Sequence, residues 1–496
     1  MSNTPLEAAA GDRPLQRIVI DPVTRVEGHG KVTLLVDDDN RIQQARLHIV
    51  EFRGFEKFIQ GRPYWEVPIV VQRLCGICPV SHQLAAGKAI DQIVGTNELS
   101  PAAAKLRRLL HWGQVLQSHA LHFFHLASPD LLFGFDSEIQ KRNVFGVIAE
   151  YPDIALQGVQ IRRYGQEVIK AISGKKIHGV VVMPGGMNKA LKPEEIAMLA
   201  AGIDAIVGFC GQAVALAKRL YQEHRVRHET FGRIESPFLS LIGPEGELEL
   251  YDGGIRVKEA DGSRFVDQYP CNDYLHLVRE QVKPWSYMKF PYLIEKGPDL
   301  GWYRVGPLAR VNNCDRITTP LAEAERIEFI AAHRGLPQAP LAYHWARMIE
   351  ALHCAEAIRD SLRDPDLLSQ DLVCTGMRHF EGIGVIEAPR GTLFHHYQVN
   401  DDGLVTRANL IVSTTSNNQA MNESIRRVAI DRLSGANLTP ELLNEIEVAI
   451  RAYDPCLSCA THAVGRMPLT IELRAADGAL LNAIGRDEAG AIAFVP

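Results

Sequence analysis

The 496-residue chain is sparing with cysteine. Its nine cysteines are too few for the disulfide framework of a small secreted domain. It has no basic excess: 53 Lys and Arg stand against 59 Asp and Glu, a formal charge of −6. No run of cations marks a nucleic-acid partner. Neither G-x-G-x-x-G nor G-x-x-x-x-G-K-[ST] occurs, so a nucleotide site within this chain is not expected. The opening "MSNTPLEAAAGDRPLQR" lacks the basic-then-apolar pattern of a secretory signal. The most apolar segment, Ile196 to Ala217, is interrupted by Asp204 and Gln212. It follows Pro193-Glu194-Glu195, a good helix start, and reads as a buried core helix rather than a membrane span. Internal repeats and low-complexity tracts are also lacking. These absences together describe a cytoplasmic protein with no membrane or nucleic-acid partner.

What is present is a long chain with alternating kinds of periodicity. Length suggests two to four lobes at roughly 100–200 residues each. Residues 1–64 read as β-rich, with a hairpin from "KVTLLVDD" and "RIQQARLHIVEF" around Asp37 to Asn40. Residues 65–240 read as a helical core, with a short strand near Val181 running into a Gly-Pro-rich loop. Residues 241–318 read as a β and loop insertion, with a second hairpin turning at Asp252-Gly253-Gly254. Residues 319–462 combine helices (Pro320 to Leu362, then a segment capped by Thr439 and opened by Pro440) with strands from about Gly384 to Thr415. A 34-residue extension, 463–496, reads as a small hairpin around Asp477-Gly478. The class is α+β, dominated by helix.

Four of the nine cysteines fall in two Cys-x-x-Cys pairs. In "RLCGICPVSH", Cys75 and Cys78 are followed four residues on by His82. In "DPCLSCATH", Cys456 and Cys459 are followed three residues on by His462. Four soft ligands suit zinc, iron–sulfur, or nickel and iron. Structural zinc sites draw their pairs from a compact ribbon, about 15–20 residues apart. Here 377 residues lie between Cys78 and Cys456. A site gathered from two ends of a large chain lies among packed helices, where a catalytic or redox centre belongs. The five single cysteines (Cys210, Cys271, Cys314, Cys354, Cys374) read as inert buried thiols.

Both cysteine motifs resemble those of the large subunit of [NiFe]-hydrogenases. The likeness extends to "DPVTRVEGHG" from Asp21, "EFRGFEKFIQGR" from Glu51, "YRVGPLARVN" from Tyr303 and "APRGTLFHHY" from Ala388. It implies the large-subunit fold, with a central helical bundle and peripheral β hairpins and sheets. It also implies that Cys75 and Cys456 are terminal nickel ligands, while Cys78 and Cys459 bridge nickel to an iron carrying CN and CO. Glu27 would relay protons from the nickel-ligating Cys456, and Arg390 would overhang the open face of the metal pair. Glu56, the backbone carbonyl of Leu410 and His462 would hold Mg2+. His82 would hydrogen-bond near a bridging sulfur. Two positions depart from the common respiratory pattern: Ser118 stands where many members carry an acid, and Ser413-Thr414-Thr415 replaces Pro-Ser-Thr.

The wording of the motifs is most similar to the cytoplasmic, bidirectional NAD-reducing group. In that group the enzyme is completed by diaphorase subunits binding FMN and NAD, together with a small iron–sulfur subunit. Another cytoplasmic group, with a deazaflavin or a ferredoxin or sulfur-type acceptor, is the alternative. A non-catalytic, zinc-binding member of a complex is the reading from a different class. The resemblance further implies nickel-insertion proteins and a maturation endopeptidase that removes the extension after His462.

Overall fold

In the computed structural model, residues 16–39, 41–96, 98–333, 335–433, 439–461, 469–474, 480–486 and 492–495 are described. Helix starts follow the capping chemistry written in the sequence. The Ser100 hydroxyl accepts from the Ala103 N–H at 3.2 Å, and Pro101 opens the helix Pro101–Leu121. Thr439 likewise accepts from the Leu442 N–H at 3.2 Å and starts Pro440–Ala452. That helix stops at Tyr453, just before the second cysteine pair.

Four long helices make the central bundle. Pro101–Leu121 packs against Pro152–Ser173, and Ala342–Ser361 packs against both Pro193–Glu223 and Pro101–Leu121. Every residue from Ala342 to Ile358 is buried, so this helix is surrounded on all sides. Pro193–Glu223 differs. By length and composition it could cross a membrane, yet it buries only one face, through Leu199, Ile203, Ile206, Cys210, Ala213 and Ala217. Residues three and four apart recur in that set, as an amphipathic helix requires. The expectation of a buried core helix therefore holds for that face, and Met198 on the other is half exposed.

The strands form small antiparallel sheets around the bundle. Gly30–Val36 pairs with Ile42–Ile49 as expected, and Gln16–Ile20 adds a third strand. Glu381–Ala388, Gly391–Val399 and Val405–Ile411 form a meander laid on the helix Pro79–Ile93. The approach is close enough that a Cβ on Gly384 would fall 1.9 Å from the Ala85 carbonyl oxygen. Only glycine fits there.

The second expected hairpin is corrected. Gly254–Lys258 pairs with Phe238–Ile242 on one side and Arg264–Tyr269 on the other, so its turn is Glu259 to Ser263 rather than Asp252 to Gly254. The Asp252 carboxylate is held by Lys88 at 2.7 Å and Arg108 at 3.1 Å, which ties the expected turn to the helices. The strand expected near Val181 shrinks to Val182–Met183, paired with Gly186–Met187. In the extension, Leu469–Arg474 pairs with Leu480–Arg486 as a hairpin, and Ile492–Val495 adds a third strand.

The main apolar cluster reaches from Val23 to Ala460 and includes Cys75, Cys78, Cys456 and Cys459. The chain's two distant motifs thus meet inside its core.

Candidate metal centre

The first cysteine pair sits on a loop between a short helical turn ending at Leu74 and the helix Pro79–Ile93. Side chains pin that loop and the turn before it through their carbonyls. Gln114 and Gln117 of the bundle both donate to the Ile77 oxygen, at 2.8 and 2.7 Å. Arg53 donates to the oxygens of Leu74 and Arg73, and His178 lies 3.0 Å from the Cys75 oxygen. The loop's own N–H groups turn inward, with Ile77 N and Cys78 N at 3.2 and 3.4 Å from the Cys75 sulfur. The second pair is fixed by strand-like pairing of Glu27 with Cys456, and Leu457 N–H donates to the Glu27 oxygen at 2.9 Å. Gly28, at φ +83°, permits this. A Cβ there would lie 2.6 Å from the Ser458 nitrogen.

The four thiols converge. Their sulfurs lie within 4.8 Å of one another, and all four residues are buried. Cys75 to Cys456 is 3.3 Å, Cys78 to Cys459 is 3.7 Å, and Cys456 to Cys459 is 2.9 Å. Hydrogen bonds from neighbouring thiols hold the Cys75 thiol well below its ordinary range. Burial above all pushes Cys456 and Cys459 well above it. Protein groups alone thus favour a thiolate at one corner and neutral thiols at two. A soft cation in their midst is the group that would stabilise all of them as thiolates.

Glu27 sits against this cluster. The Cys456 thiol donates to Glu27 Oε2 at 3.0 Å, Ser458 N–H donates to the same oxygen at 3.2 Å, and the Ser458 hydroxyl donates to Oε1. Burial, followed by the charge of Cys75, raises the Glu27 carboxyl above its usual range. A carboxyl shifted in that direction holds a proton more readily than an exposed one.

Above the sulfurs lies a small pocket lined by Cys78, Cys456, Cys459, His82, Arg390 and Thr414, with Ala388, Pro389, Leu393 and Val412 as apolar walls. Arg390 is held from behind. Its Nε donates to the Asp454 carbonyl at 2.6 Å, an Nη to the Asp454 carboxylate at 2.9 Å, and the other Nη lies 3.5 Å from the Ser118 hydroxyl. His82 lines the pocket, with Nδ1 3.1 Å from His395 Nε2.

Glu56 and Leu410 come together as expected, but the contact is the Leu410 N–H donating to Glu56 at 2.8 Å. His462, expected beside them, lies outside the described residues. Arg53 N–H donates to the Thr461 oxygen at 2.8 Å, which draws the end of the second motif toward the turn carrying Glu56.

One supporting group was not singled out from the sequence. Arg310, buried within "YRVGPLARVN", donates to Glu350 at 2.6 Å, to Glu387 at 2.7 Å, and to the carbonyls of Ala388 and Pro389. It thereby fixes the corner from which Arg390 projects. His119 Nε2 reaches the same Glu350 oxygen, Oε2, at 2.5 Å. Burial holds this imidazole at about 4, so the contact is a hydrogen bond from a neutral ring. A cation amid apolar neighbours was the available signal, because a buried charge needs partners.

The nickel-dependent hydrogenase family matches residues 53–133 and 266–462, and a HoxL-like family matches 17–52. With a thiol cluster of this kind in a matching fold, the chain belongs to the nickel-dependent hydrogenases. It is the catalytic large subunit of a [NiFe]-hydrogenase. Over 483 residues it is 45% identical to the NAD-reducing hydrogenase HoxS subunit beta of Cupriavidus necator, covering 94% of this chain and 99% of that one. It is 41% identical over 475 residues to a subunit of the F420-non-reducing hydrogenase of Methanothermobacter thermautotrophicus, covering 94% and 100%. Among solved structures, an NAD+-reducing [NiFe]-hydrogenase in the H2-reduced state matches with a TM-score of 0.89 and 56% identity, covering 90% of this chain and 99% of that one.

Proposed function

We propose that this protein binds a nickel–iron centre on Cys75, Cys78, Cys456 and Cys459, and splits or forms H2 heterolytically there. The observation that carries the reading is the four buried thiols within 4.8 Å, with the Glu27 carboxylate 3.0 Å from Cys456. All-sulfur donors suit nickel and iron. Cys75 and Cys456 would be the terminal nickel ligands, and Cys78 and Cys459 the bridging ones. The pocket beside Cys78 and Cys459, apolar with Arg390 at its rim, supports small diatomic iron ligands, CN and CO. Once bound, the centre supplies the redox and Lewis-acid chemistry that polarises H2.

The protein's part is to place charge and move the proton. The Cys456 sulfur would accept it, and Glu27 Oε2 would receive it and pass it outward. Arg390, neutralised by Asp454, offers oriented N–H donors rather than net charge. Glu56 and Leu410, with His462, would hold Mg2+ and tie the C-terminal segment to the N-terminal one.

The likeness to the HoxS protein and to the NAD+-reducing structure supports NAD as acceptor. Diaphorase subunits carrying FMN, with a small iron–sulfur subunit, would complete a cytoplasmic complex. Likeness to F420-non-reducing hydrogenases favours, as a second reading, another acceptor in the same position. Residues 463–496 would be removed by an endopeptidase after nickel insertion; the Cys456 segment is already buried beside Cys75 with the extension present. Infrared spectroscopy and metal analysis of the purified complex test the assignment. Cyanide and carbon monoxide bands with nickel and iron near one each are expected, and zinc alone would refute it.

A further inference from the structure

Sharing no lining residue with the pocket at the thiol cluster, a polar cavity of about 430 Å3 lies between the helix Arg225–Thr230 and the start of Ala342–Ser361. That size suits a small organic molecule rather than a single water. One group in its wall has hydrogen-bonding capacity that the protein does not use and that the cavity can reach. His228 is 7% exposed; its ring meets Tyr221 edge-on at 5.9 Å, and among the described residues neither ring nitrogen makes a hydrogen bond. Gln338 is 4% exposed. Its Oε1 accepts from Arg304 and from Ser236 N–H, and its Nε2 is closed off from the cavity. Buried polar groups are ordinarily satisfied, and an open imidazole on a cavity points to a partner.

The charges say what kind of molecule fits. Arg225 is engaged by Glu229 at 2.8 Å, which cancels its charge. Arg233, also in the wall, has only a 3.8 Å approach to the exposed Glu235. That leaves one weakly paired guanidinium beside a free imidazole. Leu336 and Ala339 supply an apolar edge. We propose that this cavity binds a small organic anion, its carboxylate or phosphate end accepting from Arg233 and His228, and its carbon portion against Leu336. Burial keeps the His228 imidazole neutral, at about 4, so it would act as an N–H donor without competing for the guanidinium's role.

Calorimetric titration of the intact hydrogenase complex tests this, with citrate, glucose 6-phosphate and inorganic phosphate as separate probes. One-to-one saturable binding of citrate or glucose 6-phosphate is expected, weakened about tenfold or more in Arg233→Gln and in His228→Leu. Hydrogen uptake should persist in both, since neither residue touches the thiol cluster. Arg233 is half exposed, so its replacement does not threaten the fold and suffices if His228→Leu proves unstable. Binding of inorganic phosphate that both variants weaken would support the oxyanion subsite. Binding that neither variant changes, or no saturable heat with any probe, would overturn the proposal.

Discussion

At the scale of single residues, the centre depends on sulfur and on one carboxylate. Oxygen in place of a thiolate is a harder and far less acidic ligand. Cys456→Ser is therefore expected to lose nickel and all hydrogen activation, read by metal analysis and H2 uptake. Retention of nickel at wild-type stoichiometry would remove Cys456 from the ligand set. Glu27→Gln keeps the shape and the Ser458 contacts but cannot carry a proton. Metals should stay, while hydrogen–deuterium exchange and turnover fall about 10²–10⁴-fold, the usual worth of a positioned acid–base group. Exchange at the wild-type rate would show that the proton leaves Cys456 by another route.

At the scale of elements, the support is a buried ionic corner and a close backbone crossing. The Arg310 guanidinium lowers the Glu350 carboxyl from 4.5 to about 2 despite complete burial. A carboxyl depressed in the folded state stabilises fully above its unfolded pKa, and that contribution disappears as pH falls through the folded one. Removing one member of such a pair costs about 3–5 kcal/mol. Glu350→Gln should thus lower the unfolding midpoint at neutral pH, and flatten the loss of stability between pH 4.5 and about 2. Parallel curves for the two proteins would contradict this. Gly28→Ala should add about 1–3 kcal/mol of local strain, separating Glu27 from Cys456 and Ser458. The expected reading is a folded protein with reduced nickel content.

This is also where the sequence was least informative. The cysteine pairs could be read because their residue type and spacing carry chemistry on their own, whereas Glu27 and Arg390 could be read only through the resemblance of the motifs around them. The strand meander and the Thr439 cap followed from alternation and capping. Asp454 and Ser458 lie inside a recognised motif, yet their partners are set by folding: Arg390 lies 64 residues from Asp454, and Glu27 lies 431 from Ser458. The Asp252-Gly253-Gly254 turn misled because local turn chemistry cannot show that Lys88 and Arg108 will claim its carboxylate. Partners separated by hundreds of positions leave no local pattern.

At the scale of the whole molecule, a buried centre must hand its electrons to something else. The described residues show a single metal-capable cluster, and the chain has no dinucleotide motif. The isolated, metal-loaded chain should therefore reduce no NAD under H2, while the chain with its small and diaphorase subunits should. NAD reduction by the chain alone would refute that division of labour. Active, nickel-loaded protein should have an intact mass ending at His462; a chain ending at Pro496 would show that the extension stays.

The separation of the two cysteine pairs also has a consequence in time. Cys75 and Cys456 are 381 positions apart. At about 5–20 residues per second of synthesis, the first pair leaves the ribosome roughly 20–80 s before the second. Throughout that interval the nascent chain presents two thiols, a set that copper and zinc bind readily and that cannot select nickel. Selection of the metal can begin only once translation has delivered both halves. An early-arriving ion on Cys75 and Cys78 is then a competitor that the cell must keep away or remove.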